Sequence, residues 1–313
     1  MDLFFATFES IAELLGVGLI GFWIIRKRLI PEKALGLLSP LALEIALPCL
    51  IFSNIITSFS PQTIPDWWMF PLWWLVFTGI AAALTVLFMF VSEKKTRREF
   101  AISLFFQNGL FIPLALLAGM FPSDSSYQVA LFLFMLFFPM LLFNSYQLFF
   151  KKQDRTLNWK KIFHPIFIVT LLAMGLRLLN LQAYLPDIIL MITQMVGVMA
   201  VPLIMIILGG NIYSDFHKKG EIYKFEIIKF VAIKNIIFPL IFLGIIFIIR
   251  PDYHIALILI MQSAVPPVTA VPLLVERAGG NHTIVNQFIL VSFFCSLITI
   301  PAIISLFGVF YYV

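Results

Sequence analysis

The feature that leaves this chain least freedom is a succession of apolar stretches, each about as long as a bilayer is thick. They run over roughly 3–25, 34–56, 68–92, 99–120, 126–149, 163–181, 187–212, 226–249, 252–275 and 282–309. A helix needs about 20 apolar residues to cross hydrocarbon, so ten transmembrane helices are expected. Composition agrees, with 61% hydrophobic residues, 12% charged and a mean hydropathy of +1.02, against roughly 25% charged in a soluble domain. An all-α polytopic membrane protein follows. No connection is long enough for a soluble domain.

The charge balance supports this. A formal charge of +5 could suggest nucleic acid, but the basic residues fall in short loops between apolar stretches, so no nucleic-acid partner is expected. Arg26, Lys27, Arg28 and Lys33 follow the first stretch, and Lys94, Lys95, Arg97 and Arg98 follow the third. Lys151, Lys152, Arg155, Lys160 and Lys161 follow the fifth; Lys218, Lys219 and Lys224 the seventh; Arg277 the ninth. The other loops hold only Arg177 and Arg250, at helix ends. The positive-inside rule then puts the odd-numbered loops in the cytoplasm and both termini outside, with the cell membrane as the expected location. No positive segment precedes the first apolar stretch, which reads as a retained helix rather than a leader. Trp67, Trp68, Trp73 and Trp74 crowd one end of the third stretch, where an interfacial aromatic anchor is expected.

Cys49 and Cys295 lie inside apolar stretches and suggest neither a disulfide scaffold nor a metal site. His164, His217, His254 and His282 are far apart at segment edges. Neither a zinc cluster nor any other metal or cofactor is expected.

One stretch cannot stay helical. In Gln262-Ser263-Ala264-Val265-Pro266-Pro267-Val268-Thr269-Ala270-Val271-Pro272, the prolines offer no N–H to the carbonyls of Gln262, Ser263 and Val268. Val265 and Pro266 are pushed away from the α region by the prolines that follow them. Bare carbonyls persist at membrane depth only where protein or a polar cavity satisfies them, so the break points to a binding site.

The break has a counterpart. Ile30-Pro31-Glu32 parallels Leu185-Pro186-Asp187, Ala46-Leu47-Pro48 parallels Ala200-Val201-Pro202, and Gln107-Asn108-Gly109 parallels Gln262-Ser263-Ala264. All three pairs are offset by nearly one spacing, which equals five membrane segments. Five is odd, so the second copy enters the membrane inverted, the signature of secondary transporters with discontinuous helices at matching positions. The halves are 1–150 and 162–313. In the fourth segment Pro113 frees the carbonyl of Gly109, itself a poor helix residue, and Gln107 and Asn108 place two amides at mid-membrane.

These residues resemble the auxin efflux carrier family, which includes the plant PIN proteins and shorter bacterial organic-acid permeases. The resemblance rests on Ala46-Leu47-Pro48, Gln107-Asn108-Gly109 with Pro113, Ala200-Val201-Pro202 through Gly209-Gly210, Lys234 with Pro239, and Gln262 through Pro272. It implies a 5+5 inverted repeat like that of sodium/proton antiporters and bile acid transporters, with segments 4 and 9 unwound and crossing. Segments 1, 2, 6 and 7 would form a scaffold, and 3–5 with 8–10 a moving bundle. A homodimer is the family expectation. The short central loop is similar to that of the bacterial members.

The resemblance implies small organic anions as substrates, held at the crossing. Asn108 leads the candidate ligands, with Gln107, Gly109 and Pro113 from segment 4. Gln262, Ser263, Pro266, Pro267 and Thr269 contribute from segment 9. Half-helix N-termini and side-chain amides suit a carboxylate without a full charge in the site. Charged residues at membrane depth are functional candidates. Glu44, one turn before Pro48 and on the same helical face, is a candidate for proton coupling. Lys234 is a candidate for charge compensation or coupling, with proton or sodium as the ion. A non-transporting sensor on the same scaffold is the alternative. An enzyme is not expected: no Ser/His pair, no paired aspartates and no phosphate-binding loop occurs.

Overall fold

The computed structural model describes residues 2–62, 64–121, 126–150, 164–217 and 221–311. The expected loop cations Lys151, Lys152, Arg155, Lys160, Lys161, Lys218 and Lys219 lie outside them. Among the described residues the regular structure is helical throughout. In order it comprises α1 (Asp2–Arg26), α2 (Lys33–Pro40), α3 (Leu47–Ser58), α4 (Met69–Phe88), α5 (Arg97–Phe105), α6 (Phe111–Met120), α7 (Ser126–Phe134) and α8 (Phe138–Ser145). Then follow α9 (Pro165–Leu178), α10 (Asp187–Gly197), α11 (Ala200–His217), α12 (Lys224–Val231), α13 (Phe238–Ile249), α14 (Tyr253–Ala264), α15 (Val271–Arg277) and α16 (His282–Tyr311). Among the described residues, six spans are long and apolar enough to cross a membrane: Thr7–Arg26, Lys33–Ser58, Met69–Val91, Asp187–Ser214, Lys224–Ile249 and His282–Tyr311. Shorter apolar helices cover the remaining stretches. This is a multi-pass membrane protein.

Proline sets many of the interruptions. Leu41–Ala46, between α2 and α3, and Ala232–Ile237, between α12 and α13, wind as wide π turns, and each is followed two residues on by a proline, Pro48 or Pro239. A proline has no N–H for the carbonyl four residues back. The turn widens instead, so that the N–H of Leu47 reaches Ala42 O and that of Phe238 reaches Ile233 O. The wide turn also changes the helical register. Pro48 is buried while Glu44 is exposed, so the two do not share a face as ordinary α spacing predicts.

Two sets of helices pack most closely. α1 lies along α11, and α3 lies against α9 and α10. The α1–α11 seam is a backbone contact: a Cβ on Gly209 would lie 1.8 Å from Gly18 O, and one on Gly21 would lie 2.1 Å from Ile206 O. Small residues permit such approach where lipid supplies no hydrophobic drive between helices. Elsewhere α4, α12, α13 and α16 pack through aromatics: Phe77 of α4 lies on Phe242 of α13 at 4.7 Å between ring centres, and Phe230 of α12 stacks on Phe288 of α16 at 4.4 Å.

The tryptophans divide. Trp68 is exposed, as an anchor requires, but Trp74 is 3% exposed and packs near Phe137. Trp74 belongs to the core.

Candidate functional site

The site begins where two helices stop. Pro266 and Pro267 end α14 at Ala264, and Val265 turns to φ −75°, ψ 149°, the extended geometry expected before proline. α5 ends at Phe105, and Phe106 opens to φ −94°, ψ 94°. The two extended stretches meet antiparallel, with Gln107 bridged to Pro267. The N–H of Asn108 donates to Pro266 O at 2.8 Å, and that of Val268 to Phe106 O at 2.9 Å. In unbroken helices these two donors would serve Leu104 and Ala264. Each broken chain thus satisfies the other.

A third link closes the crossing. Pro113 leaves the Gly109 carbonyl without a helical donor, and Gln262 Nε2 supplies one at 2.5 Å. Glycine is required there: a Cβ at 109 would lie 2.1 Å from Gln262 Oε1 and 2.9 Å from Met135 Cε. Gln262 and Ser263 are fully buried, and Ser263 Oγ donates back to Ile260 O at 2.7 Å. Gln262 belongs to the clasp, whereas Ser263 bonds only within its own helix.

Against the crossing lies a cavity of about 580 Å³. Of the sequence candidates, Asn108, Gly109 and Thr269 line it. Gln107, Pro113, Gln262, Ser263, Pro266 and Pro267 do not. Asn108 is 2% exposed, and among the described residues its Oδ1 has no hydrogen-bond partner. One wall carries Ser39, His164 and Asn211, and the other Glu276, His282 and Asn286 beside the crossing. Among the described residues no lysine or arginine lines it. Apolar walls come from Leu43, Phe111, Phe138, Met205 and Leu290 among others.

Besides Glu276 on the wall, the electrostatics come from backbone and from one buried lysine. α6 starts at Phe111, directly after the crossing, so its positive end faces the site. The seven-residue α15 is too short to add much. Lys234, in the second wide turn, is 1% exposed and sits 5.1 Å from the Phe238 ring centre. Among the described residues it has no ion pair. Its turn packs against α14, whose last carbonyls, Gln262 and Ser263, are those freed by the prolines. Glu44 is exposed and does not line the cavity.

Sequence reasoning passed over His164, Asn211, His282 and Asn286. Asn211 carried a signal, a lone amide near the end of an apolar stretch beside Gly209-Gly210. The histidines lie far apart in sequence. Only folding brings them to one cavity.

A family described as membrane transport protein matches residues 6–156 and 146–304. The chain belongs to this family. It is the family that contains the auxin efflux carriers, and the protein is a membrane transporter. An uncharacterized transporter of Saccharomyces cerevisiae is 31% identical over 77 residues, which cover 25% of this chain and 18% of that relative. The chain therefore matches less than a fifth of that relative's length. In this transporter the family-like motifs around Asn108 and Pro266-Pro267 are the segments that pair at the crossing.

Proposed function

We propose that this transporter carries small organic anions by alternating access, with the substrate carboxylate held at the crossing. The observation that carries the reading is the antiparallel pairing of Gln107 with Pro267 at the wall of a cavity that Asn108 and Thr269 line. Broken helices at membrane depth are tolerated where they line a cavity and recur at transporter substrate sites. The amide of Asn108 and the N-terminus of α6 meet the carboxylate. The apolar walls meet its carbon skeleton. Gln262 and Gly109 hold the crossing in register, and Lys234 offsets the carbonyl ends of α14 without touching substrate.

The whole chain is then a 5+5 inverted repeat with halves 1–150 and 162–313. α1–α3 with α9–α11 form the scaffold. α4–α8 with α12–α16 form the moving bundle, and the cavity lies between them. Both termini lie outside the cytoplasm, in the cell membrane of a homodimer. The cavity then reaches the cytoplasmic side, because Glu276, His282 and Ser39 flank loops rich in Lys and Arg. Transport is driven by the anion gradient or by coupling to protons or sodium.

A thermal-shift screen of the purified protein against mono- and dicarboxylates and indole acids tests the ligand class, since a ligand that binds only the folded state raises apparent stability. Uptake of any hit into proteoliposomes should be lost in Asn108→Ala and Pro267→Ala, with membrane insertion intact. Wild-type uptake in both variants would remove the site from the crossing.

A further inference from the structure

The cavity runs from the crossing toward one end of the molecule only. Its far polar residues, Ser39, Glu276 and His282, adjoin the basic loops. Toward the opposite end, among the described residues, α1 meets α6 at two points and α3 meets α7 at one. Ser10 of α1 touches the backbone of α6, where a Cβ on Gly119 would lie 2.3 Å from Ser10 Oγ and 2.8 Å from Ser10 Cβ. One turn away, Thr7 Oγ1 lies 3.8 Å from Met120 Sδ. Between α3 and α7, Asn54 Nδ2 donates to Gln128 Oε1 at 2.7 Å. All six residues flank loops poor in Lys and Arg. The arrangement is one-sided: packed contact beyond the crossing, open space before it.

We infer that Ser10–Gly119, Thr7–Met120 and Asn54–Gln128 form the barrier that seals the far side of the site, and that these contacts part when the transporter opens that way. The inference rests on the alternating-access reading given above. The chemistry suits a contact that must be made and broken. A side-chain amide pair and a thioether contact in apolar surroundings are worth little net stability each. Gly119 gives α1 a surface to seat against without interlocking side chains. The α1–α11 seam is different in kind, since its backbones meet over two further glycines. It lies inside the scaffold, and nothing about it needs to open.

Cysteine accessibility tests this without a known substrate. Thr269→Cys, in a background with Cys49→Ala and Cys295→Ala, reports the site. It is labelled with a membrane-impermeant maleimide applied to either face of oriented membrane vesicles. Ser10→Cys with Gly119→Cys supplies a lock: those Cβ atoms would start 2.8 Å apart, so α1 and α6 need only part by about an ångström to reach the roughly 3.8 Å that a disulfide spans. The unlocked protein should label from both faces. The oxidised protein should label only from the basic-loop face, and reduction should restore the other. Labelling from both faces after oxidation would place the barrier elsewhere and overturn the inference alone. Labelling from one face even without the lock would overturn alternating access as well. Gly119→Leu is the complementary variant, wedging α1 from α6. It should raise far-face labelling about tenfold, equivalent to about 1.4 kcal/mol against the closed barrier. A properly folded Gly119→Leu protein, by size-exclusion profile, with unchanged labelling would also refute the assignment.

Discussion

Replacing Gly109 by alanine tests the clasp at the crossing most directly. The new Cβ would lie 2.1 Å from Gln262 Oε1, 3.0 Å from Gln262 Cδ and 2.9 Å from Met135 Cε. A carbon–oxygen contact needs more than 3 Å, so the Gln262 amide must retreat by about an ångström. That movement breaks its 2.5 Å bond to the Gly109 carbonyl. A buried polar group left unpaired costs about 1–3 kcal/mol, and forcing a methyl into a packed core about 1–3 kcal/mol more. A loss of roughly 2–6 kcal/mol is expected from the two effects together. The clash partner is a flexible side chain, so a second substitution separates the effects. Gln262→Ala alone leaves the Gly109 carbonyl bare but makes room. The pair Gly109→Ala/Gln262→Ala should therefore be about as stable as Gln262→Ala alone. Thermal unfolding of the four purified proteins, followed by tryptophan fluorescence, closes the cycle. Strict additivity of the two single effects would refute the reasoning, because residues in contact must couple.

Three further outcomes follow from the same geometry. Lys234→Met removes a buried lysine that has no ion pair among the described residues, so the protein should be as stable as wild type or more so. Binding of an anionic hit should weaken by about tenfold or more, read by isothermal titration; unchanged binding would end its compensating role. Glu44→Gln should leave uptake and its pH dependence as in wild type, because Glu44 is exposed and off the cavity wall; a flattened pH profile in proteoliposome uptake would restore it as a coupling group. Gly209→Leu should break the α1–α11 seam and lower the yield of monodisperse protein on size exclusion, since even a Cβ there would meet Gly18 O at 1.8 Å. Normal yield would mean that the seam is loose.

Most of the helices were legible because lipid enforces a simple rule: an apolar stretch of sufficient length has to pair its own backbone. The breaks were legible for the same reason, since proline subtracts a specific donor and names the carbonyl left behind. Gly109 shows how far that logic reaches and where it stops. Pro113 identified its carbonyl as orphaned, but nothing in the sequence said that Gln262, more than 150 residues later, would supply the missing donor. Gln262 was expected among the ligands because a buried amide in a broken helix looks alike in either role. Glu44 went astray for a local reason. Its face was taken from α periodicity, while Pro48 converts that turn to a π turn and rotates it outward. The cavity wall was the least legible part, because His164, Asn211 and Asn286 stand in separate helices with ordinary surroundings.

The division of labour at the crossing follows from these placements. A site that moves between two faces needs its ligands held rigidly and its surroundings able to part. The rigid part is made from backbone. Three hydrogen bonds tie residues 106–109 to 262–268, and none depends on a group that substrate must reach. That leaves Asn108, which lines the cavity and whose N–H is committed to Pro266. On the reading proposed above, a single residue fixes the crossing through its main chain and meets substrate through its amide. Asn108→Asp should accordingly leave the fold intact, since the main-chain bond is unchanged, yet oppose an anion with a like charge in low dielectric. Retained anion binding in a stable Asn108→Asp protein would show that the carboxylate is held elsewhere in the cavity.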